Sequence, residues 1–321
     1  MPSISFTREY DFRYGIIEQV APDIRRLTAR NPGPFTFYGT ATYIVGRGEV
    51  AVIDPGPNDS AHIEALLAGL SGEHISHILV THCHRDHSPA AQPLQQATGA
   101  PTCGYGPHSG VEDNSDAPVE EGVDQKFIPD QRLRPGERIQ GADWEIECVH
   151  TPGHTSNHLC FALPTQRVLF SGDHVMAWST SVIIPPDGNM SDYLASLAQL
   201  LLRDDECYWP THGPPLHDPH DHITALINHR HQRLDQILEL LETGDWYIGD
   251  LVSRLYSDIN PQLLGAAARS TLASLLHLQQ AGEVESQGTV ALDARYRSRS
   301  STPNDATTAA TTAATTAAPG E

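Results

Sequence analysis

Hydrophobic spacing divides the chain near residue 220. Before that point, short apolar runs alternate with helical repeats. The stretch "ATYIVGRGEVAVIDPG" (41–56) predicts two strands around a Gly-Arg-Gly turn. "DSAHIEALLAGL" (59–70) opens on an Asp-Ser cap and continues at helical spacing. "HISHILVT" (74–81) predicts a strand and "SPAAQPLQQATG" (88–99) a short helix. "WEIECVHTPGHT" (144–155) predicts a strand that ends in a Pro-Gly turn, and "HLCFALPTQRVLFSGD" (158–173) a hairpin. A capped helix over 191–203 and a short strand in "CYWPTHGPP" (207–215) follow. Such alternation predicts a layered α/β domain of mixed sheets.

Beyond residue 220 the pattern turns helical. "HITALINHRHQRLDQILELLE" (222–242) is a long amphipathic repeat, and 247–259 and 261–282 predict two more helices. The β-like "EVESQGTVAL" (283–292) completes the outline of a winged helix. Residues 301–321 are a Thr/Ala repeat with nothing larger to bury, which predicts a disordered tail. The expected units are therefore a catalytic domain over 1–220, a small helical domain over 221–300 and a tail over 301–321.

Charge narrows the choice of partner. The net charge is −20, and residues 1–228 carry 29 acidic against 13 basic side chains. A polyanion would be repelled at long range. The only lysine is Lys126, in the acidic, loop-like stretch 111–131 that holds Glu112, Asp113, Asp116, Glu120, Glu121, Asp124 and Asp130. A small basic run, Arg295, Arg297 and Arg299, follows the expected wing and reads as a solvated chain end. There is no run of eighteen apolar residues, hence no expected membrane span. "MPSISFTREYDFRYG" lacks the apolar core of a secretory signal, and the five cysteines are unpatterned. Reduced thiols in a cytoplasm are expected.

The densest chemistry lies in "LVTHCHRDHSP" (79–89), just after a strand. His82 and His84 are two apart and point to one side, so both can reach one ion. Asp86 and His87 can face a neighbouring ion. Further ligands are found at three later strand ends beside glycine: His154 in "TPGHTS", Asp173 in "FSGDH" and His212 in "WPTHGPP". Cys83, between two ligands, should point away and pack. A lone histidine among 18 is more often a core or surface residue, and His74, His77, His108, His217, His220, His222, His229 and His231 are read so. His158 and His174 adjoin the ligands and suit either a supporting or a substrate-facing place.

The order "THCHRDH…PGHT…SGDH…THGPP" resembles the metallo-β-lactamase superfamily over residues 36–230. More narrowly, "NPGPFTFYGTATYIVG" and "GDHVMAWSTSVIIPPDGNMSDYLASL" are similar to the lactamase-beta-2-like hydrolases, which carry a winged helix after the metal domain. The resemblance implies a four-layer αββα sandwich. It implies a first metal on His82, His84 and His154, a second on Asp86, His87 and His212, and Asp173 bridging the two. Asp54 in "VIDPG" would support the site by fixing a loop or a histidine tautomer. The chain departs from the family at Ser88-Pro89-Ala90, where many members have a Gly pair, which puts the pocket near that turn in question.

Mixed nitrogen and oxygen ligands suit two Zn2+ ions, with iron or manganese as alternatives. Such a pair presents hydroxide at neutral pH, with Asp86 orienting the nucleophile and carrying its proton. No G-x-S-x-G nucleophile motif competes. The expected activity is hydrolysis of an ester, thioester, lactone or similar small-molecule bond. His174, Trp178, Ser179 and Thr180 are the pocket candidates, with Ser181 beside them. A phosphodiesterase or ribonuclease acting on single-stranded RNA is the alternative, disfavoured by the acidic charge. A nucleic-acid-binding regulator is the alternative of another class. Its recognition helix, 261–282, would have only Arg269 and His277 as charged or titratable side chains. That Ala/Leu-rich face suits packing on the metal domain or on a second subunit of a homodimer.

Overall fold

A computed structural model describes residues 4–107, 122–257 and 259–299. Two sheets face one another. The first contains β1 (Glu18–Ala21), β2 (Ile24–Thr28), β3 (Ala41–Arg47), β4 (Glu49–Ile53), β5 (His74–Leu79), β6 (Thr102–Gly104) and β7 (Gln131–Arg132), in that spatial order. The second contains β8 (Arg138–Gln140), β9 (Glu145–His150), β10 (Leu159–Leu163), β11 (Val168–Gly172), β12 (Cys207–Pro210) and β13 (Leu216–His217). Helices α1 (Ser60–Gly69) and α2 (Ala91–Thr98) lie on the outer face of the first sheet. On the outside of the second lie α3 (Met190–Leu200) and the first half of α4 (Pro219–Glu242). The architecture is the expected αββα sandwich.

Period-two geometry explains why the strands read as unbroken apolar runs. In β3, Tyr43 and Val45 point into the core between the sheets, while Ile44 points to the helix layer. In β4, Ala51 and Ile53 face inward and Val50 and Val52 outward. In β10, Leu159, Phe161 and Leu163 meet the first sheet, and Cys160 and Ala162 meet α3 and α4. Strands covered on both faces have no polar positions to alternate with.

The edge strand β1 and its neighbour β2 are held by charge. Arg25 of β2 donates to both oxygens of Glu73, at 2.5 and 2.9 Å, and the Gly48 amide donates to the same carboxylate at 2.9 Å. The Arg25 hydrogen bond, ahead of an opposing burial effect, holds the Glu73 carboxyl below its ordinary value. A depressed folded-state pKa adds stability above the ordinary value of 4.5, and that stability is lost as pH falls through the folded value. Glu73→Gln should therefore lower stability by about 1 kcal/mol at pH 7. Denaturant melts should show the difference from the parent shrinking below pH 4.5.

A second small core joins the far half of α4 (Leu234, Ile237, Leu241) to α5 (Ile248–Leu255) and α6 (Leu264–Gln280). It also takes in Val284 of β15 (Val284–Gln287) and Tyr296 of β16 (Arg295–Ser298), and β16 pairs with β14 (Trp246–Tyr247). This is the expected winged helix. The helix α4 serves both cores, since Ile223 and Leu226 pack on the second sheet. One expectation is corrected here. Arg295 and Arg297 are not a solvated chain end but part of the wing strand β16. Arg297 Nε binds Glu285 at 2.5 Å, and the Arg295 guanidinium lies 5.3 Å from the Tyr247 ring centre. The Thr/Ala repeat, His108, residues 111–121 of the acidic stretch, and Asp258 lie outside the described residues.

Candidate metal centre and active site

Strand direction gathers the site. The pairs β4–β5 and β11–β12 are parallel, and β9 and β11 both run antiparallel to β10. The ends of β5, β9, β11 and β12 therefore deliver His82–His87, His154, Asp173 and His212 to one edge. Main-chain hydrogen bonds tie the two sheets together there, from Leu159 to Thr81 and from Ala41 to Thr211, each 2.8 Å. Two glycines permit the approach. Gly153 (φ +144°) lies where a Cβ would stand 2.4 Å from Tyr193 Cα. Gly172 (φ +54°) lies where one would stand 2.5 Å from His158 Nε2.

All seven expected ligands are buried and meet in three groups. His82 Nε2 lies 2.9 Å and His154 Nε2 3.2 Å from His84 Nδ1. His212 Nε2 lies 3.0 Å and His87 Nε2 3.3 Å from Asp86 Oδ2. Asp173 Oδ2 sits between the clusters, 3.4 Å from His212, 3.5 Å from His87 and 3.9 Å from His154.

The donor set fits divalent cations, and the hydrogen-bond network says why. His154 Nδ1 donates to the Val182 carbonyl at 2.7 Å. Thr81 Oγ1 donates to Asp54 and so accepts from His82 Nδ1 at 3.0 Å. Both residues, neutral in this environment, thus aim an Nε2 lone pair at the same point as His84 Nδ1. One proton cannot satisfy three converging nitrogens, whereas a metal ion can. His87 Nδ1 donates to Asp54 Oδ2 at 2.9 Å and His212 Nδ1 to the Gly39 carbonyl at 3.2 Å. Their Nε2 atoms therefore face Asp86 and Asp173. Buried His87 Nε2 and Asp173 Oδ1 have no hydrogen-bond partner among the described residues.

Electrostatics agree. Burial lowers the His87 pKa, but Asp86, Asp173 and Asp54 outweigh it and hold the ring well above its ordinary value. His212 is raised to about 10 when Asp173 and Asp86 overcome burial. Burial, with His154 beside it, pushes His84 down to about 3. One half of the cluster thus attracts positive charge, and the other resists protonation and keeps its lone pairs available.

The supporting residues divide into those expected and those missed. Asp54, expected by resemblance, accepts from the Thr81 amide, Thr81 Oγ1, Thr211 Oγ1 and His87 Nδ1. His158 is a support: its Nε2 accepts from the Asp173 amide at 3.3 Å. Thr40, which donates to Asp86 Oδ2 at 3.2 Å, carried no sequence signal. Cys83 packs away from the site and accepts from Asn157 Nδ2 at 3.0 Å.

A cavity of about 270 Å³ opens over five of the seven, with His82 and His87 behind them. Trp178, Ser179, Thr180 and Ser181 line it, and Trp178 stacks on Phe37 at 4.6 Å. His174 does not line it. It is fully buried, 4.7 Å from the Tyr193 ring and 5.6 Å from His158, so its place as a pocket residue is corrected to a packing one. Ser88 and Pro89 border a separate groove, so the departure at that turn leaves this cavity unaltered. The opposite wall comes from the winged helix: Tyr256, Ile259, Leu263, Ala266 and Ala267. Arg230 and His229 of α4 line it too. Sequence spacing marked them only as positions on an amphipathic helix.

Comparison with known proteins accords with this geometry. Residues 35–212 match the model described as the metallo-beta-lactamase superfamily, and residues 248–293 match the beta-lactamase associated winged helix domain. The atrochrysone carboxyl ACP thioesterase dmxR1 of Cryptosporiopsis sp. is 32% identical over 231 residues, 70% of this chain. The match spans 65%, just under two thirds, of that relative's length. The beta-lactamase-like protein 2 homolog of Caenorhabditis elegans is 28% identical over 281 residues, 84% of this chain and 88% of its own. The crystal structure of metallo-beta-lactamase family protein TTHA1429 from Thermus thermophilus shares the fold, with a TM-score of 0.71 at 24% identity over 88% of this chain and all of that one. The family match takes in more than half of the residues and every member of the histidine–aspartate cluster, and the chain belongs to the metallo-beta-lactamase superfamily of hydrolases.

Proposed function

We propose that the protein hydrolyses acyl thioesters or related activated esters of small organic acids, using two divalent cations, Zn2+ first among them. The observation that carries this reading is the cavity itself. The ligand cluster closes one end, and apolar side chains of a second domain close the other. The apolar wall of Ile259, Leu263, Ala266 and Ala267 suits an organic acyl chain. It offers little to a nucleic-acid backbone, and the net charge of −20 opposes one. The thioesterase names among the relatives point the same way. No helix among the described residues is long and apolar enough to cross a membrane, and five cysteines that form no disulfide among the described residues suit a reducing cytoplasm.

His82, His84 and His154 would hold one cation, Asp86, His87 and His212 the other, and Asp173 both. Bound there, the pair supplies a hydroxide at neutral pH and polarises the acyl carbonyl. The chain's own residues set the stage. Asp54 holds His87, the Gly39 carbonyl holds His212, and the Val182 carbonyl holds His154, so each Nε2 keeps its aim. Asp86 borders the cavity, and its carboxylate is placed to orient the attacking oxygen and accept its proton. Phe35, Trp178 and the winged-helix wall exclude bulk water.

A hydrolysis panel on the zinc-loaded protein tests this. It should contain acyl thioesters, lactones, a cephalosporin, bis-nitrophenyl phosphate and short single-stranded RNA. Thioester turnover should lead, vanish with EDTA and return with Zn2+. Cleavage of only the last two substrates would overturn the reading in favour of a phosphodiesterase.

A further inference from the structure

Between the ligand cluster and the apolar wall lies a belt of polar atoms without partners. Trp178 Nε1, Ser181 Oγ, His229 Nδ1 and Arg230 Nε are all buried, and none has a hydrogen-bond partner among the described residues. All four residues line the cavity. Arg230 stands apart, because it carries a charge and is only 6% exposed. Its Nη2 donates to the Ser181 carbonyl, and its guanidinium lies 5.2 Å from the Tyr193 ring centre. No Asp or Glu among the described residues comes within ion-pair distance of it, although the chain holds twice as many acids as bases. A buried guanidinium without a counter-ion is costly. A carboxylate or phosphate on a ligand would supply the missing charge through the short, strong hydrogen bonds that a guanidinium forms with such groups.

Position makes the ligand specific. Arg230 holds the Ser181 carbonyl, and the ligand His154 holds the next one, Val182. The guanidinium therefore stands one residue along the same loop from the candidate metal centre. His229, its neighbour in α4, is pushed down to about 4 by burial and then by Arg230 and Arg233, so it brings no competing charge near neutral pH.

We propose that Arg230 is the counter-ion for an oxyanion, carboxylate or phosphate, carried on the substrate away from the bond that is cleaved. The apolar body of that substrate would rest on Ile259, Leu263 and Ala266. This rests on the acyl-hydrolase reading and narrows it to substrates with an acidic group.

Binding to EDTA-treated full-length protein tests it without turnover. The probes are 3-phenylpropanoate, 3-phenylpropylphosphonate and the neutral 3-phenylpropanamide, followed by calorimetry. The native protein should bind at least one anion about tenfold or more tighter than the amide. The tighter anion identifies the source of the charge. Arg230→Gln should erase the preference, and Arg230→Lys should keep part of it. Equal binding of amide and anions by the native protein would overturn the proposal, as would a preference that survives Arg230→Gln. Should the glutamine variant not fold, the native comparison and the lysine variant still decide. Because no bond is broken, a negative result here is separable from failure of the hydrolysis panel.

Discussion

Replacing His84 with alanine should abolish turnover and remove about one of two bound metal equivalents. His84 Nδ1 is where two other imidazole nitrogens converge, at 2.9 and 3.2 Å, so the first group of three loses its centre. Loss of one cation removes several kcal/mol of transition-state charge stabilisation, which corresponds to about three orders of magnitude in rate. The fold should survive. His84 sits on a loop at the cavity, and truncation there leaves the apolar packing between the sheets and under their helices untouched. Elemental analysis and steady-state kinetics on one preparation check both parts. A variant that keeps two metals, or turns over within tenfold of the parent, would sink the assignment of this residue.

The second large effect is expected at Asp54, which touches no substrate. Its Oδ1 accepts one donor and its Oδ2 three. Asp54→Asn replaces one of those acceptors with an NH2 group and sets donor against donor in a site 1% exposed. The substitution keeps the left-handed backbone (φ +48°), which Asn tolerates as well as Asp. The disruption is therefore electrostatic and not steric. His87 loses the partner that fixes its tautomer, and Thr81 and Thr211, which carry the main-chain ties between the sheets, lose their shared acceptor. Metal affinity should fall about 10- to 100-fold, with a lower melting temperature for the metal-free protein as well. Competition with a calibrated chelator measures the first and calorimetry the second. Unchanged affinity would mean that the His87 ring is held by packing alone.

Much of this site could be read before any fold was known, for a local reason. All seven ligands follow the end of a strand, three of them beside a glycine, and a chain leaving a sheet edge must place its next few side chains there. His82, His84, Asp86 and His87 sit within six residues, so their proximity is covalent. The double burial of β3, β4 and β10 was likewise written in unbroken apolar runs. Strands β1 and β2, at one end of the first sheet, were not read as strands. Their sequences "EQVA" and "IRRLT" mix charges into the run, and those charges find partners only in the folded chain: Arg25 in Glu73, and Glu18 in Arg13 and Arg26.

The sequence by itself determined which side chains can bind cations and at which strand ends they stand, because ligand spacing and strand period are properties of neighbouring residues. It also determined that helices and a wing follow the sandwich. Only the tertiary structure decided what surrounds the cluster. His174, next to a ligand, turns into the core against Tyr193. Arg230, 57 residues beyond Asp173 in sequence, reaches the cavity through the packing of α4. The winged helix becomes a wall because its Ala-rich helix packs inward. Burial of a surface is a relation between distant segments, and no local pattern records which segment will cover which.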